Sequence, residues 1–118
     1  MTKFIKFWLP VLACMGVIFY ASSIPASNIP PLFPFQDIAF HLFIYCLLAY
    51  FFSRALKNTY SGLIPSRIIV FAIVFCIIYG ITDEFHQAFV PGRTPSGLDV
   101  FIDGVGSFIG SMVAKWLR

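Results

Sequence analysis

Hydrophobic positions gather into four blocks along the chain: Phe4 to Ser22, Ile38 to Ser53, Ile68 to Ile81 continuing to about Val90, and Val100 to Leu117. Prolines and glycines lie mostly between these blocks or at their ends. At a rise of about 1.5 Å per residue, about 17 to 25 residues cross a hydrocarbon core about 30 Å thick, so each block predicts a membrane-spanning helix. The second block is short and must begin near Asp37 and end near Leu56 to span. The first block, with Lys3 and Lys6 ahead of it and Ala21-Ser22-Ser23 behind, is laid out like a secretory leader. Its apolar run exceeds the usual leader core of about 7 to 15 residues, so it is read as a retained helix. Pro10 predicts a kink that a membrane tolerates. The expected fold is all-α, an integral membrane bundle of four transmembrane helices forming one domain over residues 1–118.

Composition agrees, because 59% of the residues are hydrophobic and only 11% are charged, more apolar surface than a water-soluble core of this size can hide. No fixed-period repeat or low-complexity tract is present, which excludes solenoid and disordered classes. The formal charge of +3 comes from scattered bases rather than a basic stripe, so nucleic acid is not the expected partner. Those bases carry a topology signal instead. With the N-terminus in the cytoplasm, Lys3, Lys6, Arg54, Lys57, Arg67, Lys115 and Arg118 all fall inside, and only Arg93 falls outside. Both termini are therefore expected to be cytoplasmic. Cys14, Cys46 and Cys76 lie singly within apolar runs and read as buried free thiols.

This topology places all five acids, Asp37, Asp83, Glu84, Asp99 and Asp103, with both histidines, toward the outer ends of the second, third and fourth spans. Counting from Arg54, Arg67 and Arg118 puts His41, Asp83 and Asp103 at one height, roughly 20 to 24 Å above the inner boundary. Charges at that depth are costly unless they face protein or water. Helical spacing puts Asp37, His41, Ile44, Tyr45 and Leu48 on one face and Asp83 with Gln87 on another, with His86 beside them, and lines up Asp99, Asp103, Gly106 and Gly110. Asp83 or Glu84 as general base, His41 or His86 as proton shuttle and Arg93 as an anion clamp are the candidate catalytic and binding groups. Gln87, Tyr45, Asp99, Asp103 and Asp37 are candidate substrate contacts. A metal site drawing on Asp83, His86, Asp99 and Asp103 lacks a recognisable ligand spacing, so no metal is expected. The cofactor is left open. Gly106-x-x-x-Gly110 predicts close approach of another backbone and is a candidate seam for a homo-oligomer. A polar network that only pairs helices competes with all of these readings.

The run Ile81-Thr-Asp-Glu-Phe-His-Gln-Ala-Phe-Val-Pro-Gly-Arg93, followed by Thr94-Pro-Ser-Gly-Leu-Asp99-Val-Phe-Ile-Asp103-Gly-Val-Gly106 and then Gly110, closely resembles the signature of the VanZ-like family of bacterial membrane proteins. Asp37-Ile-Ala-Phe-His41-Leu-Phe-Ile-Tyr45 and the Ser22-Ser23-Ile-Pro25 end of the first block extend the resemblance over essentially the whole chain. Ile38 and Asp103 look like departures, since the family often has Lys and Asn there. The resemblance implies a multi-pass protein of the bacterial cytoplasmic membrane whose namesake lowers susceptibility to the glycopeptide antibiotic teicoplanin, and it supplies no reaction. The expected partner is a membrane lipid or lipid-linked envelope precursor that is bound or modified at the outer face. A structural membrane protein and a small transporter are the alternatives.

Overall fold

Among the described residues of the computed structural model, 2–117, the chain forms four long α-helices: α1 Thr2–Ser22, α2 Gln36–Thr59, α3 Pro65–Gln87 and α4 Gly97–Trp116. A short 3-10 turn, Ala26–Asn28, interrupts the first connection. All four helices are long and apolar enough to cross a membrane, and the bundle is 46 Å along its longest axis. Their outward surfaces carry Val17, Phe19, Phe43, Phe71, Phe101 and Phe108 exposed, the arrangement of a multi-pass membrane bundle. Arg118, counted above in the charge asymmetry, lies outside the described residues.

Helix ends follow local chemistry. Pro65 opens α3, where its missing N–H is no loss. The Ser96 hydroxyl caps α4 by accepting from Leu98 N at 3.1 Å. The third span stops at Gln87 rather than running to Val90, because Pro91 and a left-handed Gly92 (φ 75°) turn the chain. The second span is longer than its apolar block, starting one residue before Asp37 and ending three past Leu56. The proline-rich connection into it contains the 3-10 turn and a left-handed Phe35 (φ 62°). Gln36 ties this connection together, accepting from Leu32 N and donating to Pro30 O.

The most extensive helix contact is between α2 and α4. A Cβ at Gly106 would lie 2.6 Å from the Leu42 carbonyl oxygen, and one at Gly110 would overlap the Cys46 carbonyl. The two backbones therefore touch. Both glycines are buried, and the backbone that approaches them is α2 of the same chain. On the other side of α2, the core is built from Val11, Cys14 and Ile18 of α1 with Leu48, Ala49, Ala72 and Cys76. Large rings fill in around it, including Phe52 stacked on Phe75 at 4.3 Å.

The α1–α2 and α3–α4 connections, flanked by Asp37, Asp83, Glu84, Asp99 and Asp103 on the helices, meet at the end where α1 and α3 finish and α2 and α4 begin. We call this the acidic end, and the opposite one, holding Arg54, Lys57 and Lys115, the basic end.

Candidate functional site at the acidic end

Three helices deliver polar groups to one buried cluster. From α2, His41 Nδ1 meets Asp103 Oδ1 of α4 at 2.8 Å, and His41 Nε2 lies 4.0 Å from Asp99 Oδ2. From α3, Asp83 and Glu84 turn inward, and a nitrogen of His41 and one oxygen of each of these acids lie within 4.8 Å of one another. Adjacent residues on α3 can both face the cluster because they straddle its inward direction, with Gln87 one turn on. Asp103 has room because Gly80 faces it, where a Cβ would lie 2.5 Å from Asp103 Oδ2.

The hydrogen bonds leave a pattern of used and unused atoms. Glu84 Oε1 accepts from Ser96 N at 2.7 Å, which docks the α3–α4 connection onto the cluster. Glu84 Oε2, Asp103 Oδ2 and the Tyr45 hydroxyl are buried without a hydrogen-bond partner. Among the described residues no Lys or Arg nitrogen comes within 4.0 Å of these carboxylates, and His41 makes the ion-pair contacts found here. Three buried acids, Asp83, Glu84 and Asp103, thus share one imidazole. Such a group is expensive in a membrane unless it is neutralised by protons or by a cation.

Two cavities reach the cluster. One, of about 460 Å³, lies between the ends of α1 and α2, with an apolar wall of Ile18, Leu32, Phe33, Phe40 and Phe43 and with His41, Tyr45 and Asp83 among its polar lining. Leu32, Phe33, Phe40 and Phe43 are exposed, so this cavity borders the lipid-facing surface. The other, of about 300 Å³, is polar and is lined by Thr94 and Asp99 along with the loops. Ile29, Gln36, Asp37, His41, Gln87 and Arg93 line both.

The structure therefore gathers His41, Asp83, Glu84 and Asp103, with Tyr45, Gln87 and Asp99 around them and the exposed Asp37 at the cavity rim. It sets His86 apart from this cluster. The His86 ring stacks on Phe19 at 4.6 Å, and its Nε2 meets Ser23 Oγ at 2.9 Å. Since the Ser23 hydrogen goes to the Phe19 carbonyl at 2.7 Å, the imidazole donates there and is occupied in holding α1. The residues able to hold a cation are correspondingly His41, Asp83 and Glu84, rather than a set including His86.

Arg93 is also partly committed. Its Nη1 donates to the Ala21 carbonyl, which also accepts from Ile24 N, at 3.1 Å and to the Ile24 carbonyl just past α1 at 2.9 Å. Nε and Nη2 are the donors left for the cavities it lines. Gly80 and Ser96 are contributors that spacing did not single out for these roles. A Gly at the level of an opposing acid is the only trace Gly80 leaves in the sequence.

Curated proteins and solved structures give no match to this chain. The VanZ/LLP1 family model matches residues 7–118, and the chain belongs to that family.

Proposed function

We propose that this VanZ/LLP1-family protein binds a long-chain lipid with a phosphate or carboxylate headgroup at the outer face of the bacterial cytoplasmic membrane. Lipid-linked envelope precursors have this chemistry, and lowered teicoplanin susceptibility is the cellular effect to look for. The observation that carries the reading is the pair of cavities, one apolar and bordering the lipid surface, the other polar, which share six residues. One amphiphile can lay its chain along Phe40 and Phe43 and present its head to His41, Gln87 and Arg93. Arg93 supplies directed donors for an anion. His41, oriented through Nδ1 by Asp103, keeps Nε2 as its remaining polar atom for the site, while Asp83 and Glu84 set the local charge. The outer location rests on the basic residues at the opposite end of the bundle.

Two measurements test this. In a background without native cysteines, Gly97→Cys should react with a membrane-impermeant reagent in whole cells and Gly62→Cys should not; both positions are open, with no atom within 4 Å of an added Cβ. The reverse pattern would move the site to the cytoplasm. Native mass spectrometry of the purified protein should show a retained polyprenyl phosphate or phosphatidylglycerol in preference to phosphatidylcholine, with retention reduced in Ala39→Trp, which fills the apolar cavity. Equal retention of all three lipids by both proteins overturns the reading.

A further inference from the structure

The proposed ligand is anionic, yet the cluster beneath it holds Asp83, Glu84, Asp99 and Asp103 against one arginine whose Nη1 is already spent on backbone carbonyls. A second anion placed there would be repelled. A cation between the headgroup and the acids would remove that repulsion, and the geometry offers a place for one.

We infer that His41, Asp83 and Glu84 bind a divalent transition-metal cation, zinc or manganese by the donor set, and that this cation receives the headgroup of the lipid proposed above. Several independent observations point to it. The three donor atoms lie within 4.8 Å of one another, close enough for one ion to gather them with small side-chain adjustments. Glu84 and His41 each have an atom left over for the task. Glu84 is 7% exposed, its Oε1 is held by Ser96 N, and its Oε2 has no partner. A carboxylate at Asp103 holds the proton on His41 Nδ1, leaving the Nε2 lone pair free; a metal-bound imidazole is commonly fixed in this way by a carboxylate on its other nitrogen. Tyr45, fully buried and lining the same apolar cavity as His41 and Asp83, also has an unpartnered hydroxyl. That hydroxyl is suited to a water or headgroup oxygen carried by the ion. Asp99 Oδ2, at 4.0 Å from His41 Nε2, is available as a further oxygen donor on the polar side.

The donor types narrow the ion. One imidazole with two or three carboxylates suits zinc or manganese, whereas magnesium and calcium prefer all-oxygen shells and magnesium retains its waters. Bound here, a +2 ion offsets Asp83 and Glu84 and leaves a positive centre beside Arg93 for a phosphate oxygen. This explains how an acid-rich pocket can take an acidic lipid, and it rests on that reading for the ligand but not for the metal.

The test uses the full chain purified in detergent, stripped with chelator, incubated separately with zinc or manganese and freed of unbound ion before elemental analysis. The wild type should retain about one equivalent. Glu84→Gln and His41→Gln should each lower retention at least about tenfold, and Asp103→Asn should weaken binding by about 10- to 100-fold through loss of imidazole orientation. His86→Gln should retain metal like the wild type. A folded wild type that keeps less than about a tenth of an equivalent of either ion overturns the site, whatever the variants do. Loss in His86→Gln equal to that in His41→Gln overturns the assignment of ligands. Lipid selectivity without metal would remove the ion and leave the lipid reading standing, whereas stoichiometric metal with no lipid selectivity would do the opposite.

Discussion

α4 and α1 are held in the bundle by opposite means. The α2–α4 seam is main chain on main chain at Gly106 and Gly110, flanked by the buried Ser107 and Ser111, whose hydroxyls turn back to their own helix at Gly104 O and Phe108 O. α1 is held at arm's length by large side chains and a few long-range hydrogen bonds: Trp8 to Thr59, Tyr79 to the Met15 carbonyl, and Arg93 to Ala21 and Ile24. The difference separates precision from room. His41 and Asp103 pair across the seam where no side chain intervenes, and the large cavity opens beside α1, where the helices stand apart.

The largest effect should come from the seam. Gly110→Val puts a branched side chain where the Cys46 carbonyl already lies, and neither backbone can yield without parting α2 from α4. A loss of more than about 4 kcal/mol, or no folded protein at all, is expected in a thermal or denaturant assay in detergent. Normal stability would mean that the backbones are not in contact. An intermediate effect is expected where α1 is pinned. Arg93→Ala strands the Ile24 carbonyl and leaves Ala21 O with Ile24 N alone, at a cost of about 1 to 3 kcal/mol. Arg93→Lys should recover less than half of that loss, since both bonds come from Nη1 at the tip of the longer Arg side chain and the shorter Lys stem does not carry its ammonium to the same place. Full recovery by Lys would reduce Arg93 to a simple charge. The smallest effect belongs to Tyr79→Phe, which removes a single interhelical hydrogen bond at 2.7 Å and should cost about 0.6 kcal/mol with lipid retention unchanged. A cost several times larger would show that α1 is held far more firmly than its few tethers indicate.

Spans could be read from the sequence because a bilayer imposes a length and a composition on them, and the helices run close to the apolar blocks. The His41–Asp103 pairing could be anticipated as a shared height and inward face, since both follow from rise and helical angle. What could not be read depends on how loops return. Glu84 meets Ser96 only because the turn at Gly92 brings the chain back over the helix end. His86 sits one residue before Gln87, yet about 100° of helical rotation turns it to Phe19 and Ser23 instead of the cavity. Gly106 and Gly110 announced a close backbone without saying whose. Arg93 announced a clamp, while the carbonyls that occupy its Nη1 belong to a helix about seventy positions earlier.

The apolar wall of Phe33, Phe40 and Phe43 has a consequence for selectivity. A chain that slides in from the bilayer leaves one hydrocarbon environment for another, so it gains almost none of the free energy that water would have supplied. Tail length and saturation should then matter little to occupancy, and the relevant scale is the fraction of membrane molecules carrying the right head rather than a concentration in solution. For the lipid proposed above, discrimination would fall on the few polar atoms around His41, and competition would come from every other lipid in the same leaflet.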